Sequence, residues 1–272
     1  MMYYVYVFLS AVGAFLTAAV KQSVKSVFDC WKIIAVFITI FLLLIWLHAA
    51  ADMFISIFAS RKKQPKKLKN IFRSVTLMSI NLFLHIMKAK IHVTGAEKIP
   101  DDQRFLMVGN HLSIFDPMIA MYCFRDKELA FVSKKENINM PFFGRLMLAS
   151  GCIPLDRENN RSAVKSIMTA ARNIAENRAS MGIYPEGGIN KSEELLLPFH
   201  HGSFKIALKA KAPIVVTSIR NTDKLKKRFL FKSTNIYLDV IEVLPYDEIS
   251  DLKTAEISHM IRNDILDFLK SA

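Results

Sequence analysis

A histidine and an aspartate five residues apart are the side chains best suited to chemistry in this sequence. His111 and Asp116 lie in the segment Gly109–Pro117. An apolar run, Phe105–Val108, precedes it and predicts a short buried strand; Pro117–Phe124 follows and predicts a helix. A carboxylate hydrogen-bonded to one imidazole nitrogen fixes the tautomer, so the other nitrogen is free to take a proton from a hydroxyl. The pair therefore predicts a general base with an orienting partner.

The connection between strand and helix decides whether these two side chains meet. In an uninterrupted helix the offset of five residues would point them apart, so a turn is required. Asp116 followed by Pro117 is also typical of a helix start, with an acceptor at the N-cap and then a residue without an N–H. A structural interpretation, in which Asp116 only caps its helix and His111 is a polar turn residue, stands beside the catalytic one.

Three further segments follow this pair in order and favour the catalytic interpretation. Together with the first segment they resemble the four sequence blocks of the glycerolipid acyltransferase family, whose first block is His, four residues, Asp. The four blocks here are Asn110–Asp116, Gly151–Arg157, Tyr184–Gly188 and Ala212–Val216. The resemblance extends over about residues 90–220 and is closest to the 1-acylglycerol-3-phosphate acyltransferases.

The resemblance implies transfer of an acyl group from a thioester to the free hydroxyl of 1-acylglycerol-3-phosphate (lysophosphatidic acid), giving phosphatidic acid. His111 is then the general base and Asp116 its orienting partner. The donor is acyl-CoA or an acyl-carrier protein, and we expect no other cofactor and no metal. Two alternatives stay open. One is the same chemistry on another acceptor, such as glycerol 3-phosphate, another lysophospholipid or a lyso-aminolipid; the other is a non-catalytic membrane protein that binds anionic lipid.

Residues of the second and third blocks are candidates for substrate binding. Arg157 can hold a phosphate through two donors. A salt bridge to Asp156, Glu158 or Glu186 is the alternative. The resemblance implies a role for Glu186 in acceptor binding, through glycerol hydroxyls or by positioning Arg157. Gly187 and Gly188 provide backbone N–H groups compatible with an anion nest, although two glycines in a loop often form only a turn.

The third block departs from the family pattern, which continues Gly-Thr-Arg-Ser. Ile189 occupies the arginine position, so no phosphate ligand is expected there, and Lys191 is a candidate to replace the charge. Lys134, with its neighbour Lys135, is a candidate for the phosphates of donor or acceptor; a solvated surface is the alternative. His200 and His201 are interpreted as polar loop residues and not as a second base.

Composition restricts the class of partner. The 272 residues carry a net charge of +13, which suits an anionic partner, and 52% of them are hydrophobic. Nucleic acid is not expected, because no helix-turn-helix, zinc-finger or aromatic RNA-binding signature accompanies the basic charge. The three cysteines are far apart, which fits a reducing compartment and gives no metal-binding spacing.

The first part of the chain, residues 1–60, predicts membrane-embedded helices. Met1–Val20 is uncharged and includes tyrosines suited to a membrane interface; a signal peptide is the alternative, but no basic residue precedes the apolar run. Ile33–Ala51 is uncharged and about long enough to span the hydrocarbon layer. The mixed polar segment Lys21–Lys32 connects the two.

Residues 61–89 predict a basic linker and an amphipathic helix. The run Arg61–Lys69 favours an electrostatic anchor on anionic headgroups and, by the positive-inside bias, a cytoplasmic active site; a solvated linker is the alternative. Ile71–Met87 predicts a helix that lies on the membrane or packs on the catalytic domain. Its period alone does not separate these two positions.

Residues 90–272 alternate between strand and helix patterns, which predicts an α/β domain with a central mixed or largely parallel sheet flanked by helices. Strands are expected at Ile91–Thr94, Phe105–Val108, Leu129–Val132, Cys152–Leu155, Gly182–Tyr184, Ile214–Ile219 and Ile236–Leu244. Helices are expected at Pro117–Phe124, Pro141–Ala149, Arg161–Arg178, Ser203–Lys211 and Ala255–Leu269. Because ligands bind at the carboxyl ends of strands in open sheets, one crevice is expected to collect His111, Arg157 and Glu186.

Overall fold

The computed structural model describes residues 2–21, 30–58, 66–140, 143–228 and 232–272, and its centre is a seven-stranded sheet. The strands are β1 Ala89–Thr94, β2 Leu106–Gly109, β3 Ala130–Lys134, β4 Ile153–Leu155, β5 Met181–Ile183, β6 Ile214–Arg220 and β7 Thr234–Leu244. Their order across the sheet is β1-β7-β6-β2-β5-β3-β4. Every neighbouring pair is parallel except the antiparallel β6 and β7, which confirms the predicted mixed, largely parallel sheet.

Helices cover the sheet and form the first part of the chain. They are α1 Met2–Lys21, α2 Cys30–Phe58, α3 Lys66–Ile86, α4 Asp116–Cys123, α5 Lys135–Ile138, α6 Phe143–Ala149, α7 Asn160–Ala175, α8 Lys205–Ala210, α9 Lys224–Arg228, α10 Tyr246–Ile249 and α11 Thr254–Ser271. Short 3₁₀ turns occur at Ala96–Lys98, Arg125–Lys127 and His201–Phe204. The single-turn helices were not predicted, because one turn carries no hydrophobic period.

The middle of the sheet forms the core of the domain. Every residue of β2 and β5 is buried, and β6 is buried except for its last residue. Such continuously buried strands are typical of a sheet covered on both faces. On α11 the side chains of Ile257, Ile261 and Ile265, which follow one another at intervals of four residues, are fully buried in this core.

Two boundaries differ from the sequence prediction for local reasons. The helix expected to reach Arg178 ends at Ala175, and Asn177 takes a left-handed conformation (φ 53°) that stops it. The helix expected over Ser203–Lys211 is instead a 3₁₀ turn, His201–Phe204, followed by α8. Residues 141–142, at the start of another predicted helix, lie outside the described residues.

The first two helices, α1 and α2, are long and apolar enough to cross a membrane. They pack against each other, and none of the most apolar stretch of α2 is buried within the protein. Residues 22–29 of the predicted polar connection and 61–65 of the predicted basic run lie outside the described residues. The exposed apolar surface of these helices makes the chain a membrane-associated protein.

The sequence pattern of α3 did not show whether this helix lies on the membrane or packs on the α/β domain. In the structure it packs on the α/β domain. Phe72 and Leu84 are buried on this face. The Arg73 guanidinium donates to the carbonyl oxygens of Leu129 at 2.9 Å and Arg125 at 3.2 Å. These bonds fix α3 against the segment that leads into β3.

Candidate active site

Strand β2 ends at the carboxyl edge of the sheet, and His111, the central residue of the site, lies two residues beyond it. Beyond its end, the Asn110 amide donates to the Ile219 carbonyl oxygen at 2.9 Å and accepts from the Ile219 N–H at 2.8 Å. Gly109 makes the close approach to β6 possible, since a Cβ there would lie 2.6 Å from Thr217 Oγ1. These contacts hold the end of β2 against β6, and His111 follows directly.

His111 and Asp116 meet as predicted. His111 Nδ1 lies 2.8 Å from Asp116 Oδ2, and the Asp116 carboxylate is fully buried. The same oxygen accepts the backbone N–H groups of Leu112 at 2.7 Å and Ser113 at 2.8 Å. An ionised carboxylate only accepts hydrogen bonds, so Nδ1 carries the hydrogen and Nε2 is left as an acceptor. This tautomer is the one that a general base requires.

The predicted N-cap role of Asp116 is wrong. Helix α4 begins at Asp116 itself, the N-cap position is Phe115, and no side chain caps this helix end. The carboxylate instead turns back over the preceding turn, where the amides of Leu112 and Ser113 hold it against the imidazole. Asp116 Oδ2 therefore fixes both the turn that contains Leu112 and Ser113 and the imidazole of His111.

An aromatic ring stacks on the face of the His111 imidazole, and a second aromatic ring stacks on the first. The Tyr184 ring lies parallel to the His111 ring, with centroids 4.4 Å apart and planes at 7°. The Phe131 ring stacks on Tyr184 at 5.3 Å. Gly182 allows this stack, because a Cβ there would lie 2.4 Å from the Phe131 ring. The contact restricts imidazole rotation about its side-chain bonds.

Sequence reasoning missed the role of Tyr184, although an aromatic residue directly before Pro-Glu-Gly was the available signal. Its hydroxyl oxygen is buried and has no hydrogen-bond partner among the described residues. Burial, reinforced by the nearby Asp116 carboxylate, raises the Tyr184 pKa well above its usual value. The phenol is therefore neutral and is not a second base.

Exchanging Tyr184 for leucine is expected to lower kcat about two- to tenfold, since an aromatic contact contributes about 0.5–1.5 kcal/mol beyond area burial. Tyr184→Phe keeps the stack and removes only the unpartnered hydroxyl, so kcat and the unfolding temperature should stay at the wild-type level or rise. Steady-state kinetics and thermal unfolding of both variants test this. Equal losses of kcat in the two variants would show that the hydroxyl, and not the ring, is what matters.

Glu186, in the third sequence block, accepts hydrogen bonds from the backbone, including that of His111 in the first block. Its Oε1 accepts the backbone N–H of His111 at 2.6 Å, and its Oε2 accepts the N–H of Leu197 at 2.9 Å. The N–H of Asn190 donates to the His111 carbonyl oxygen at 2.8 Å. Burial raises the Glu186 pKa, and the two amide hydrogen bonds act in the opposite direction. Both carboxylate oxygens thus position backbone; a contact with the acceptor's hydroxyls stays a prediction.

Arg157 and His200 converge on Gly187. A Cβ on Gly187 would lie 3.1 Å from Arg157 Nη1 and 2.8 Å from His200 Nε2, and the residue has a left-handed φ of 82°. The Gly187 N–H donates to the Tyr184 carbonyl oxygen at 3.1 Å, so it closes a turn and does not contribute to the predicted anion nest. Gly188 is exposed, with nothing within 4 Å of its Cβ position.

Arg157 is available for an anion. No carboxylate among the described residues forms an ion pair with it, and the adjacent Asp156 is bonded to Lys135 at 2.9 Å instead. The salt bridge considered as the alternative for Arg157 is therefore absent from the described part of the chain. The His200 ring beside the guanidinium was not anticipated, since both histidines were interpreted as polar loop residues.

The two candidate lysines are exposed. Lys134 ends β3, and its ammonium lies 3.7 Å from the Glu136 carboxylate. Lys191 is on the surface of the loop that follows Gly188. Their binding roles stay predictions. In the described ranges, no three His, Cys, Asp or Glu side chains are grouped to hold a metal ion.

The structure is an α/β protein with a His–Asp pair at the carboxyl end of a central strand, in which the carboxylate is buried. Comparison with known proteins gives the family. The acyltransferase family profile matches residues 90–220. The 1-acyl-sn-glycerol-3-phosphate acyltransferase of Haemophilus influenzae is 35% identical over 164 residues, 57% of this chain and 68% of that protein. The enzyme of the same name from Borreliella burgdorferi is 29% identical over 194 residues, 71% of this chain and 76% of that protein. The chain belongs to the acyltransferase family.

A solved structure shares the fold. The 1-acyl-sn-glycerophosphate (LPA) acyltransferase PlsC from Thermotoga maritima superposes with a TM-score of 0.61 at 20% identity, covering 84% of this chain and 93% of that one. The family, fold class and enzyme class expected from the sequence are confirmed. The chain is an acyltransferase with two apolar helices at its start.

Proposed function

We propose that this acyltransferase moves an acyl group from a thioester to the hydroxyl of 1-acylglycerol-3-phosphate and so forms phosphatidic acid for phospholipid biosynthesis. The observation that carries the proposal is the 2.8 Å bond between His111 Nδ1 and the buried Asp116 carboxylate, which leaves Nε2 as the acceptor. The names of the Haemophilus and Borreliella relatives support the choice of acceptor.

The reaction needs only direct attack. His111 Nε2 takes the proton of the acceptor hydroxyl as its oxygen bonds to the thioester carbonyl carbon. The Asp116 carboxylate stabilises the imidazolium that forms. The tetrahedral intermediate then collapses, the C–S bond breaks, and the thiolate leaves and takes up a proton. A thiolate is a good leaving group, so no covalent enzyme intermediate is required.

The acceptor's phosphate is assigned to Arg157, whose guanidinium forms no ion pair with a described carboxylate and lies against Gly187. With isoleucine at position 189, Lys191 and Lys134 are the remaining cations proposed to assist. The donor is acyl-CoA or an acyl-carrier protein, and no cofactor or metal is expected. We place the crevice on the cytoplasmic face, where a soluble donor meets a bilayer-borne acceptor.

Arg157→Ala is expected to raise the KM for 1-acylglycerol-3-phosphate about 10- to 100-fold, the effect of losing hydrogen bonds to a charged group. Arg157→Lys should recover only part of this, because an ammonium lacks the two-donor fork. Lys191→Ala is the companion variant, and a smaller rise in KM is expected for this exposed side chain. An unchanged KM in Arg157→Ala, measured over a full acceptor titration, would remove the phosphate assignment.

Acceptor identity is tested with membranes containing the wild-type chain and a labelled acyl-CoA. The acceptors 1-acylglycerol-3-phosphate, glycerol 3-phosphate and lysophosphatidylcholine are supplied separately, and products are identified by mass spectrometry. Phosphatidic acid formed from the first acceptor alone is the expected result. Preferential transfer to another acceptor would keep the chemistry and overturn the substrate, and no transfer to any of them would favour a lipid-binding protein.

A further inference from the structure

Six lysines at the active-site end of the sheet form an exposed basic surface, which we name the edge lysines. They are Lys88, Lys90, Lys224, Lys226, Lys227 and Lys232, and all six are exposed. The proposed reaction uses none of them. They come from two separate parts of the sequence, so their grouping is visible only in the folded chain.

Strand pairing places these lysines at the same edge of the sheet as His111. Strand β6 runs parallel to β2, so its carboxyl end lies at the same edge as His111, and α9 follows there. Strand β7 returns antiparallel to β6, and its first residue, Thr234, pairs with Ala89 at the start of β1. The Thr234 N–H donates to the Lys88 carbonyl oxygen at 3.1 Å.

The lysine side chains of α9 are exposed to solvent. Leu225 is fully buried and anchors the helix, while Lys224, Lys226 and Lys227 on either side of it are exposed. Asp223 is the one exposed carboxylate in the described residues between β6 and β7. The surface therefore carries a clear excess of positive charge.

The edge lysines begin just beyond the end of α3, where this helix contacts the start of α1. His85, near the end of α3, stacks on Tyr3 at 5.5 Å and meets Tyr4 edge-on at 5.3 Å, both at the start of α1. Tyrosines are enriched where a helix leaves the hydrocarbon layer. Lys88 follows His85 by three residues, so the basic surface begins where α1 is expected to reach the headgroups.

We propose that the edge lysines bind the anionic headgroups of the bilayer and hold the open end of the crevice against the membrane. The charges are spread along an edge from β1 to α9, and none is buried. Such a distribution fits an extended anionic surface, since a soluble phosphate would need donors that converge on one point. The surface is distinct from the lysines Lys66, Lys67 and Lys69 of the predicted basic run, which belong to the first turn of α3 at the opposite end of that helix.

Lysine labelling tests the contact directly and requires no turnover, so its result is independent of the proposed reaction. The full chain is placed in nanodiscs of phosphatidylcholine, with or without phosphatidylglycerol, and acetylation rates are read by mass spectrometry. With the anionic lipid, Lys226, Lys227 and Lys232 should react about threefold more slowly, through shielding and local proton enrichment. Lys209 and Lys211, exposed before the opposite end of β6, serve as controls within the same molecule.

Two outcomes would overturn the proposal. One is equal labelling of the edge lysines with and without phosphatidylglycerol. The other is the same protection in neutral nanodiscs after addition of soluble glycerol 3-phosphate, which would make the surface a site for a small anion. Protection that needs the anionic bilayer supports the proposal.

A pair of charge-reversed variants tests the consequence for activity. K226E/K227E should lose the stimulation of activity by anionic lipid while keeping wild-type activity in neutral detergent. The matched control, K209E/K211E, makes the same change in net charge at the far end of β6 and should keep the stimulation. Stimulation that is equal in both variants would contradict the proposal.

Discussion

His111→Ala is expected to lower kcat/KM for acyl transfer by about 10²–10⁴-fold, the range over which a positioned general base contributes. The imidazole keeps Nε2 as an acceptor, because its Nδ1 is committed to Asp116 at 2.8 Å. Residual activity is expected from binding alone, because a thioester with a good leaving group keeps some reactivity. The measurement is kcat/KM in membranes at equal protein content.

Two other histidines of the chain provide the control for this loss. His200→Ala and His201→Ala remove the same ring from the neighbouring loop, where His201 begins a 3₁₀ turn. Neither is expected to approach the loss in His111→Ala. A loss in His200→Ala as large as that in His111→Ala would move the base to the ring beside Arg157 and contradict the assignment.

Asp116→Asn is expected to cause the second-largest loss, also about 10²–10⁴-fold in kcat/KM, because the imidazolium loses its charged partner. The change is also expected to destabilise the fold. Oδ2 accepts three N–H groups, so the new amide nitrogen must replace Oδ1, which is buried and has no partner among the described residues. Leaving that donor unsatisfied costs about 1–3 kcal/mol.

Thermal unfolding separates these two effects of Asp116→Asn. Loss of the charged partner lowers kcat/KM even well below the unfolding temperature, whereas destabilisation alone lowers the unfolding temperature and leaves kcat/KM of the folded protein near its normal value. A lower unfolding temperature together with near-normal kcat/KM would show that Asp116 acts only on the backbone turn.

The elements of the sheet could be predicted because their signals are local. Each strand is a short apolar run bounded by polar or turn residues, and all seven were found within two residues of their observed ends. The meeting of His111 and Asp116 was predictable for the same reason, since one turn contains both. Their spacing allowed the contact but left a structural interpretation open, and the three further sequence blocks favoured the catalytic one.

The residues that position His111 could not be predicted, because their contacts depend on which strands become neighbours in the sheet. Strand β5 lies beside β2 although the two are far apart in sequence, and this pairing brings Tyr184 and Glu186 to His111. The period of a three-residue strand contains no information about its partner. The N-cap error has a related origin, since an Asp-Pro pair predicts a helix start but not which amides the carboxylate accepts.

Thiol release tests the central claim most directly. Acyl-CoA is mixed with the chain in membranes, with and without 1-acylglycerol-3-phosphate, for the wild type and His111→Ala, and free thiol and phosphatidic acid are quantified together. Direct attack by the acceptor predicts thiol release that requires both the acceptor and His111, in equal amounts with the product. A burst of thiol without acceptor, or acceptor-dependent release at the wild-type rate in His111→Ala, would contradict it.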